Sequence, residues 1–127
     1  MKAHWNTPVL SDNLLFGCSG RHTGSADLRC IDWKTGKRHW VKEGLTRTSV
    51  TLIDGHLIVL GEDGNLFLIK ASKEKFEMVT RYEARDDKVG VKFKYPCWAA
   101  PIVSHGLLYV RGKETLACFE LIPESKK

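Results

Sequence analysis

Apolar residues recur along the chain in short runs that are separated by two-residue turns. Three segments, 5–16, 47–58 and 98–109, each contain an apolar run, a turn and a second apolar run. Gly and Asn tolerate the positive φ that tight hairpin turns require, and one of them stands second in each turn. The pattern therefore predicts three β-hairpins. Their turns are Asp12-Asn13, Asp54-Gly55 and His105-Gly106.

A third apolar run follows each hairpin, and a fourth follows in the first two units. Short runs of this kind between turn residues predict antiparallel strands rather than helices. Segment 71–82, rich in Lys, Glu and Met, also allows a helical turn before its strand, which extends towards Tyr82. With about eleven strands in total, the predicted fold class is all-β. The strands expected beyond the hairpins lie near 28–32, 38–41, 66–70, 76–79 and 116–120.

The three hairpin segments are repeats of one another. Pro8, Val50 and Pro101 correspond, at offsets of 42 and 51 residues. Four-stranded units that recur about every 40–50 residues are typical of β-propeller blades. We therefore predict one domain, a partial β-propeller of about three four-stranded antiparallel blades, the last of them incomplete. The domain spans 1–127, with repeats at approximately 5–46, 47–97 and 98–121 and a tail at 122–127.

One string in the first repeat is more specific than the repeat period. It runs from Asp32 to Trp40 and resembles the Asp-x-x-Thr-Gly-x-x-x-Trp motif of pyrroloquinoline-quinone-like (PQQ-like) propeller repeats. The resemblance covers 5–121, although the second repeat lacks the Thr-Gly and the Trp. It implies that the Trp40 indole packs between neighbouring blades and that Gly36 supplies the special geometry of its turn. The residues of the blade motif are Trp5, Pro8, Asp32, Gly36, Trp40, Gly55, Trp98, Pro101 and Gly106.

The resemblance implies two alternative functions. PQQ-like propellers include quinoprotein dehydrogenases, the scaffold lipoprotein of the outer-membrane β-barrel assembly machine, and many bacterial envelope proteins. Because function resides in sites rather than in folds, the fold alone does not choose between them. We expect a non-catalytic binding or scaffold module without a cofactor, forming the C-terminal part of a larger propeller. The alternative is the terminal blades of a quinone-dependent dehydrogenase, which would require PQQ and calcium.

Candidate catalytic and metal-binding groups are sparse in the sequence. The family's quinone-dependent alcohol dehydrogenases share a vicinal Cys-Cys pair, and no two cysteines are adjacent here. The acidic residues are single or lie in predicted turns, so we expect turn roles for them rather than catalysis. This includes Glu62, Asp63 and Asn65, whose oxygens would otherwise suit calcium. We therefore predict neither a catalytic residue nor a metal site.

The charge pattern argues against nucleic acid as a partner. The 127 residues contain 20 Lys and Arg against 15 Asp and Glu, a formal net charge of +5. These basic residues are scattered and mostly matched by acids, which favours a solvated surface over a groove that follows phosphates. A hydrophobic fraction of 43% excludes intrinsic disorder. No apolar run reaches the roughly 18 residues that a membrane helix requires.

The cysteines and the N-terminus bear on compartment. Four cysteines form no C-x-x-C pair, which gives no support for a zinc site. Cys30 and Cys118 alternate within predicted strands, so we expect small buried hydrophobes, with a disulfide left open. Residues 1–6 lack a signal-peptide pattern. A complete chain would thus be cytoplasmic, whereas part of a longer family member would be periplasmic or secreted.

Two long connections are the candidate binding regions. Connection 17–27 is much longer than its counterpart in the second repeat, and extra loop length on one face of a repeat protein often marks a binding surface. Arg21 and His22 are therefore the first candidates to contact a partner, with a flexible polar loop as the alternative. Segment 84–97, which carries Arg85 and Lys88, is either an extended connection between blades or a lip that engages an acidic partner.

The number of repeats raises the question of what closes the ring. Closed propellers have about four to eight blades, and nearly three are predicted here. The faces of the first and last blades would expose apolar surface and sheet edges. We therefore expect either the C-terminal part of a protein of about seven or eight blades, or a homo-oligomer in which two chains form a six-bladed ring. The expected partners are a protein or the remaining blades.

Overall fold

The computed structural model describes residues 1–83 and 91–122. The predicted tail is described only at Ile122, and the expectations for Arg85 and Lys88 lie outside the described residues. All the residues of the blade motif and the candidate loop lie inside these ranges. The described residues contain no helix with the length and hydrophobicity of a membrane span.

Eleven strands form in the described ranges, together with one 3₁₀ turn at Thr23–Ser25, which confirms the all-β fold class. Turn residues bound the strands as the hydrophobic pattern predicts. The strands are β1 (Val9–Ser11), β2 (Leu14–Ser19), β3 (Asp27–Asp32), β4 (Arg38–Glu43), β5 (Thr48–Ile53), β6 (His56–Gly61), β7 (Leu66–Lys70), β8 (Met78–Tyr82), β9 (Ile102–Ser104), β10 (Leu107–Arg111) and β11 (Leu116–Glu120).

The strands form three antiparallel sheets, each built from strands that follow one another in the chain. The first has the order β1-β2-β3-β4, the second β5-β6-β7-β8 and the third β9-β10-β11. The alternative of a helical turn before strand β8 is wrong, because residues 71–77 contain no helical turn and lead directly into β8. Pairing with β7 already begins before β8, where the Lys70 amide donates to the Glu77 carbonyl at 3.0 Å.

Each sheet begins with a hairpin whose two turn residues both have positive φ. Asp12 and Asn13 have φ values of 48° and 63°, and the turns at 54–55 and 105–106 follow the same pattern. Two consecutive positive φ angles are typical of type I′ turns, whose twist matches that of the flanking strands. The predicted hairpins are therefore confirmed, with their turns at the expected residues.

The second sheet lies between the other two and contributes to two hydrophobic cores. Because side chains alternate across a strand, neighbouring residues of β6 enter different cores. Leu57 and Val59 pack in the first core with residues of the first sheet, including Phe16 and Cys30. Ile58 and Leu60 enter the second core. The buried residues of that core are Ile58, Leu60, Leu66, Phe93, Cys97, Leu108, Val110 and Ala117.

The three sheets have the same orientation in the stack, so equivalent strands present the same face towards the following sheet. We call the face that packs on the following sheet the front and the opposite face the back. A row of paired residues crosses each sheet on its front face at equivalent sequence positions. These rows are Val9–Phe16–Cys30 in the first sheet, Thr51–Ile58–Leu68 in the second and Ile102–Tyr109–Cys118 in the third. The sheets therefore stack front to back.

The strands that begin each sheet lie close together. Strand β5 contacts both β1 and β9, and the Thr51 hydroxyl donates to the Pro101 carbonyl at 2.5 Å. On the opposite side, a cleft of about 530 Å³ separates the second and third sheets beside Thr80, Arg81 and Tyr82 of β8. The second and third sheets are thus in contact at their first strands, and a cleft lies between them beside β8, across which the Tyr82 ring still contacts that of Phe119 at 5.7 Å.

The four cysteines are free thiols, and they differ in exposure. Cys30 is buried, as expected for a small hydrophobe, and Cys18 and Cys97 are buried as well. The expectation that Cys118 is also buried is wrong. It belongs to the front row of the third sheet, and no described residue packs on that face as the second sheet packs on Cys30.

Candidate binding surface

Several chain segments meet at one end of the three sheets, where β2 and β6 end and β3 and β5 begin. The Asn6 amide donates to the Thr48 carbonyl at 3.0 Å, which joins the N-terminal segment to the start of β5. The Lys113 amide donates to the Lys94 carbonyl at 3.1 Å, which joins the β10–β11 turn to the segment before β9. Arg47, between β4 and β5, lies at the centre of this end.

A buried ion pair holds these segments together. The Glu62 carboxylate is fully buried and accepts hydrogen bonds from Arg47 Nε at 2.6 Å and Arg47 Nη2 at 2.9 Å. It also accepts one from the Thr23 hydroxyl at 3.1 Å. Burial alone would raise the pKa of Glu62, but the bonds from Arg47 and Thr23 and the positive charge of Arg47 outweigh it and lower the pKa. The carboxylate therefore stays ionised and acts as an anchor.

The third nitrogen of the Arg47 guanidinium extends the network towards the surface. Arg47 Nη1 donates to the Arg21 carbonyl at 3.1 Å and lies 3.2 Å from His4 Nδ1. The guanidinium carbon also lies 5.9 Å from the centre of the Trp98 ring. A cation at this distance from an indole face is attracted by the ring quadrupole. Arg47 therefore orients both the loop that follows β2 and the exposed Trp98.

Trp98 belongs to a cluster of three aromatic rings beside this arginine. The Trp98 ring centre lies 6.1 Å from that of Trp5 and 6.0 Å from that of Tyr95. Trp98 is 46% exposed and Tyr95 54% exposed, although both rings are large and apolar. Clusters of Trp, Tyr and Arg are typical of the residues that dominate binding energy in protein interfaces.

A small cavity of about 230 Å³ lies beside Trp98, with two basic residues, Arg111 and Lys113, in its wall. We call the region formed by Tyr95, Trp98 and this cavity the Trp98 surface. Its aromatic rings and positive charges suit a partner with acidic side chains. The cavity is lined by Pro96, Trp98, Ala99, Arg111, Gly112 and Lys113.

The candidate loop residues Arg21 and His22 are both exposed and adjoin this end of the sheets. Their backbone is anchored on both sides, since the Gly20 amide donates to the Lys2 carbonyl at 3.0 Å and Thr23 binds Glu62. The structure thus places their loop beside Arg47, which also contacts Trp98. The two residues present exposed side chains from an anchored backbone.

The Asp32–Trp40 string has the geometry of a turn and an inter-sheet contact. The Trp40 indole N–H donates to the Ser72 carbonyl at 2.8 Å, and its ring lies 6.1 Å from Phe16. The Asp32 carboxylate accepts hydrogen bonds from the amides of residues 34 and 35. The bond from Thr35, followed by that from Lys34, lowers the pKa of Asp32 despite slight desolvation. The remaining turn residue, Gly36, has a φ of 74°.

The oxygens weighed for calcium have protein partners. Glu62 is bound by Arg47 and Thr23, and the Asp63 carboxylate accepts hydrogen bonds from the backbone and side-chain amides of Asn65. In the described ranges, no three His, Cys, Asp or Glu side chains cluster in a way that would hold a metal ion. This region therefore forms a structural anchor around an ion pair.

No family model matches the chain, and no curated protein matches its sequence. The resemblance to PQQ-like repeats therefore depends on the motif residues themselves, among which Asp32, Gly36 and Trp40 make the contacts described above. Function must accordingly be inferred from the geometry of the Trp98 surface and from the stacking of the sheets.

Proposed function

We propose that the chain consists of three consecutive blades of a PQQ-like β-propeller that serves as a non-catalytic scaffold. We propose further that it binds an acidic segment of a partner protein at the Trp98 surface. The observation that carries the binding function is the exposure of Trp98 and Tyr95 beside a cavity with Arg111 and Lys113 in its wall. These exposed rings offer a large contact area at low entropic cost, and the charges supply specificity.

The stacking of the sheets supports the propeller. Blades radiate from a common axis, so their innermost strands lie close together and their outer strands diverge. Strand β5 contacts both β1 and β9, whereas a cleft of about 530 Å³ opens beside β8. The front rows occupy equivalent sequence positions in each sheet, so the second sheet packs on the first in the same orientation as the third packs on the second. A constant rotation from one sheet to the next would generate a ring.

The use of the carboxylates supports a scaffold rather than an enzyme. Glu62 is neutralised by Arg47, Asp27 by Arg29 at 2.5 Å, and Asp32 accepts hydrogen bonds within its own turn. A general acid or base must reach a substrate, and a carboxylate whose oxygens are held by the protein is poorly placed to do so. These three acids therefore stabilise turns and strand ends.

Distances between spin labels at the three hairpin turns would test the blade arrangement. Cysteine replaces Asp12, Asp54 or His105 in pairs, in a background without the native thiols; all three positions are exposed. We expect similar distances for 12–54 and 54–105, and a 12–105 distance clearly shorter than their sum, because blades turn about an axis. A 12–105 distance equal to that sum would indicate a straight stack and overturn the propeller.

Selection from a phage-displayed library of random peptides would test the Trp98 surface. We expect the enriched peptides to be rich in Asp and Glu and to lose binding to the Trp98→Ala variant. Trp33→Ala is the matched control, since Trp33 is 58% exposed in the β3–β4 turn. Peptides that are not acidic, or that bind both variants equally, would contradict the proposed surface.

Titration with PQQ and calcium would test the dehydrogenase alternative. We expect neither a change in the absorption spectrum of the quinone nor a shift in the melting temperature of the chain. A saturable change in both that depends on calcium would contradict the scaffold proposal. It would support the alternative, that the chain forms the terminal blades of a quinone-dependent dehydrogenase.

A further inference from the structure

The front face of the third sheet carries an apolar row. The front rows of the first and second sheets are each covered by the following sheet, but no described residue covers this third row in the same way. Ile102 is 62% exposed and Cys118 is also exposed, while Tyr109 between them is half-buried. Leu116, which points to the same side, is 71% exposed. The equivalent residue of Tyr109 in the second sheet, Ile58, is only 6% exposed because the third sheet packs on it.

The back face of the first sheet carries a matching row, formed by Leu10, Leu15 and Ile31. Leu10 is 52% exposed and Leu15 is half-buried, whereas Ile31 at the other end of the row is only 7% exposed. The equivalent row of the second sheet contains Leu57, which is fully buried against the first sheet. Within the chain, the back row of a sheet is therefore the surface on which the front face of the preceding sheet packs.

We infer that the front face of the third sheet binds the back face of the first sheet in a second copy of this chain. The partner is identified by continuity, since this contact would repeat the two front-to-back contacts within the chain. It rests on the blade arrangement of the proposed function but not on the Trp98 surface. Front meets back at both junctions of the pair, so the two copies are related by a twofold axis and contribute six sheets in all.

Sedimentation velocity of the 127-residue chain over a range of concentrations tests the inference. We expect a monomer at low concentration to convert into a species of two chains as concentration rises. A single monomeric species up to about 100 μM, where a micromolar complex would be almost fully formed, would overturn it. That result would leave the spin-label distances within the chain unchanged, so the proposed function would stand.

Three charge-introducing variants at exposed positions identify the faces involved. Ile102→Glu on the front and Leu10→Glu on the back should each weaken association by about tenfold or more. Val79→Glu is the control, because Val79 is 49% exposed in the last strand of the second sheet. It lies neither on the front of the third sheet nor on the back of the first. If the Leu10→Glu variant associates as strongly as the Val79→Glu control, the inference is overturned.

Mixing the two face variants distinguishes front-to-back contact from front-to-front contact. The Ile102→Glu chain keeps an intact back face and the Leu10→Glu chain an intact front face. A mixture should therefore form one intact contact and restore a complex of two chains that neither variant forms alone. Association of the Leu10→Glu chain alone, at wild-type strength, would show that front meets front and would refute the proposed contact.

Discussion

Arg47 and Glu62 form a buried ion pair across the ends of the β5–β6 hairpin. The Arg47 side chain is 13% exposed and the Glu62 side chain 1% exposed, and their closest atoms are 2.6 Å apart. Two parallel hydrogen bonds from one guanidinium to one carboxylate fix both direction and distance. Since Arg47 also contacts the Arg21 carbonyl and the Trp98 ring, this pair connects the fold to the proposed binding surface.

Removal of one partner of this ion pair should destabilise the chain strongly. Arg47→Ala leaves the Glu62 carboxylate buried with one remaining side-chain partner, Thr23, and breaking a buried pair in this way costs about 3 kcal/mol or more. Urea unfolding followed by circular dichroism measures the loss. The double variant Arg47→Ala/Glu62→Gln should recover part of the stability, because no buried charge remains. Equal losses in the single and double variants would contradict the buried-charge explanation.

The same pair should make stability depend on pH in the acid range. The pKa of Glu62 is lower in the folded chain than its ordinary value of 4.5. The unfolded chain therefore binds a proton at higher pH, so the free energy of unfolding falls as pH decreases through and below that range. Urea midpoints between pH 7 and pH 3 should show a smaller decline for Glu62→Gln than for the wild type. Parallel curves would exclude Glu62 as a source of the acid sensitivity.

The hairpins could be predicted from the sequence, whereas the burial of Glu62 was missed. A turn needs only residues that accept positive φ, and Asp54-Gly55 shows that chemistry locally. Glu62 stands in a Gly-Glu-Asp-Gly string that suggests an exposed turn, and its burial depends on Arg47, 15 residues earlier. The register of the β5–β6 hairpin was the feature from which the contact between Arg47 and Glu62 could have been predicted. Pairing Ile53 with His56 brings the residues just outside the strands, Arg47 and Glu62, opposite each other.

Cys30 and Cys118 show a second limit of sequence patterns. Both occupy the third strand of a repeat, and both belong to the front row of their sheet. Their local sequences are similar, but Cys30 is fully buried and Cys118 is exposed. The difference arises from the neighbouring sheet and not from the strand, so the burial predicted from alternation is right for Cys30 and wrong for Cys118.

Shortening the Trp40 side chain should loosen the first and second sheets. The indole packs against Phe16 and Phe76 and donates to the Ser72 carbonyl at 2.8 Å. Trp40→Ala should lower the free energy of unfolding by about 3 kcal/mol, mainly through lost packing. Trp40→Phe keeps most of the apolar contact and loses the hydrogen bond, so about 1 kcal/mol is expected. Chemical unfolding of both variants measures the two contributions.

The outcome that would contradict this account of Trp40 is a similar loss in the two variants. A similar loss would mean that the hydrogen bond to Ser72, rather than ring packing, dominates the contact. Trp33→Phe serves as the control, since Trp33 is 58% exposed in the neighbouring turn and its replacement should change stability very little.

The β5–β6 turn should tolerate only residues that accept a left-handed backbone. Gly55 has a φ of 69°, and a Cβ atom there would meet no other atom within 4 Å, so any cost of substitution is conformational. Gly55→Val should destabilise by about 1–2 kcal/mol. Gly55→Asn should cost much less, because Asn13 occupies the equivalent position with a φ of 63°. Thermal unfolding of the two variants distinguishes them, and equal melting temperatures would contradict a backbone origin.

The four thiols should react at very different rates with Ellman's reagent in the folded, monomeric chain. Cys118 is exposed on the uncovered front face, so it should react rapidly at pH 8 and low protein concentration. Burial raises the pKa of both Cys30 and Cys97 to about 11 and also shields their sulfurs, and burial likewise raises the pKa of Cys18. These three thiols should react only as the chain unfolds. Cys118→Ser is the control and should abolish the rapid phase. A rapid phase that persists in this variant would mean that Cys18, Cys30 or Cys97 becomes accessible in the native state, and would contradict the expected protection of these thiols by burial.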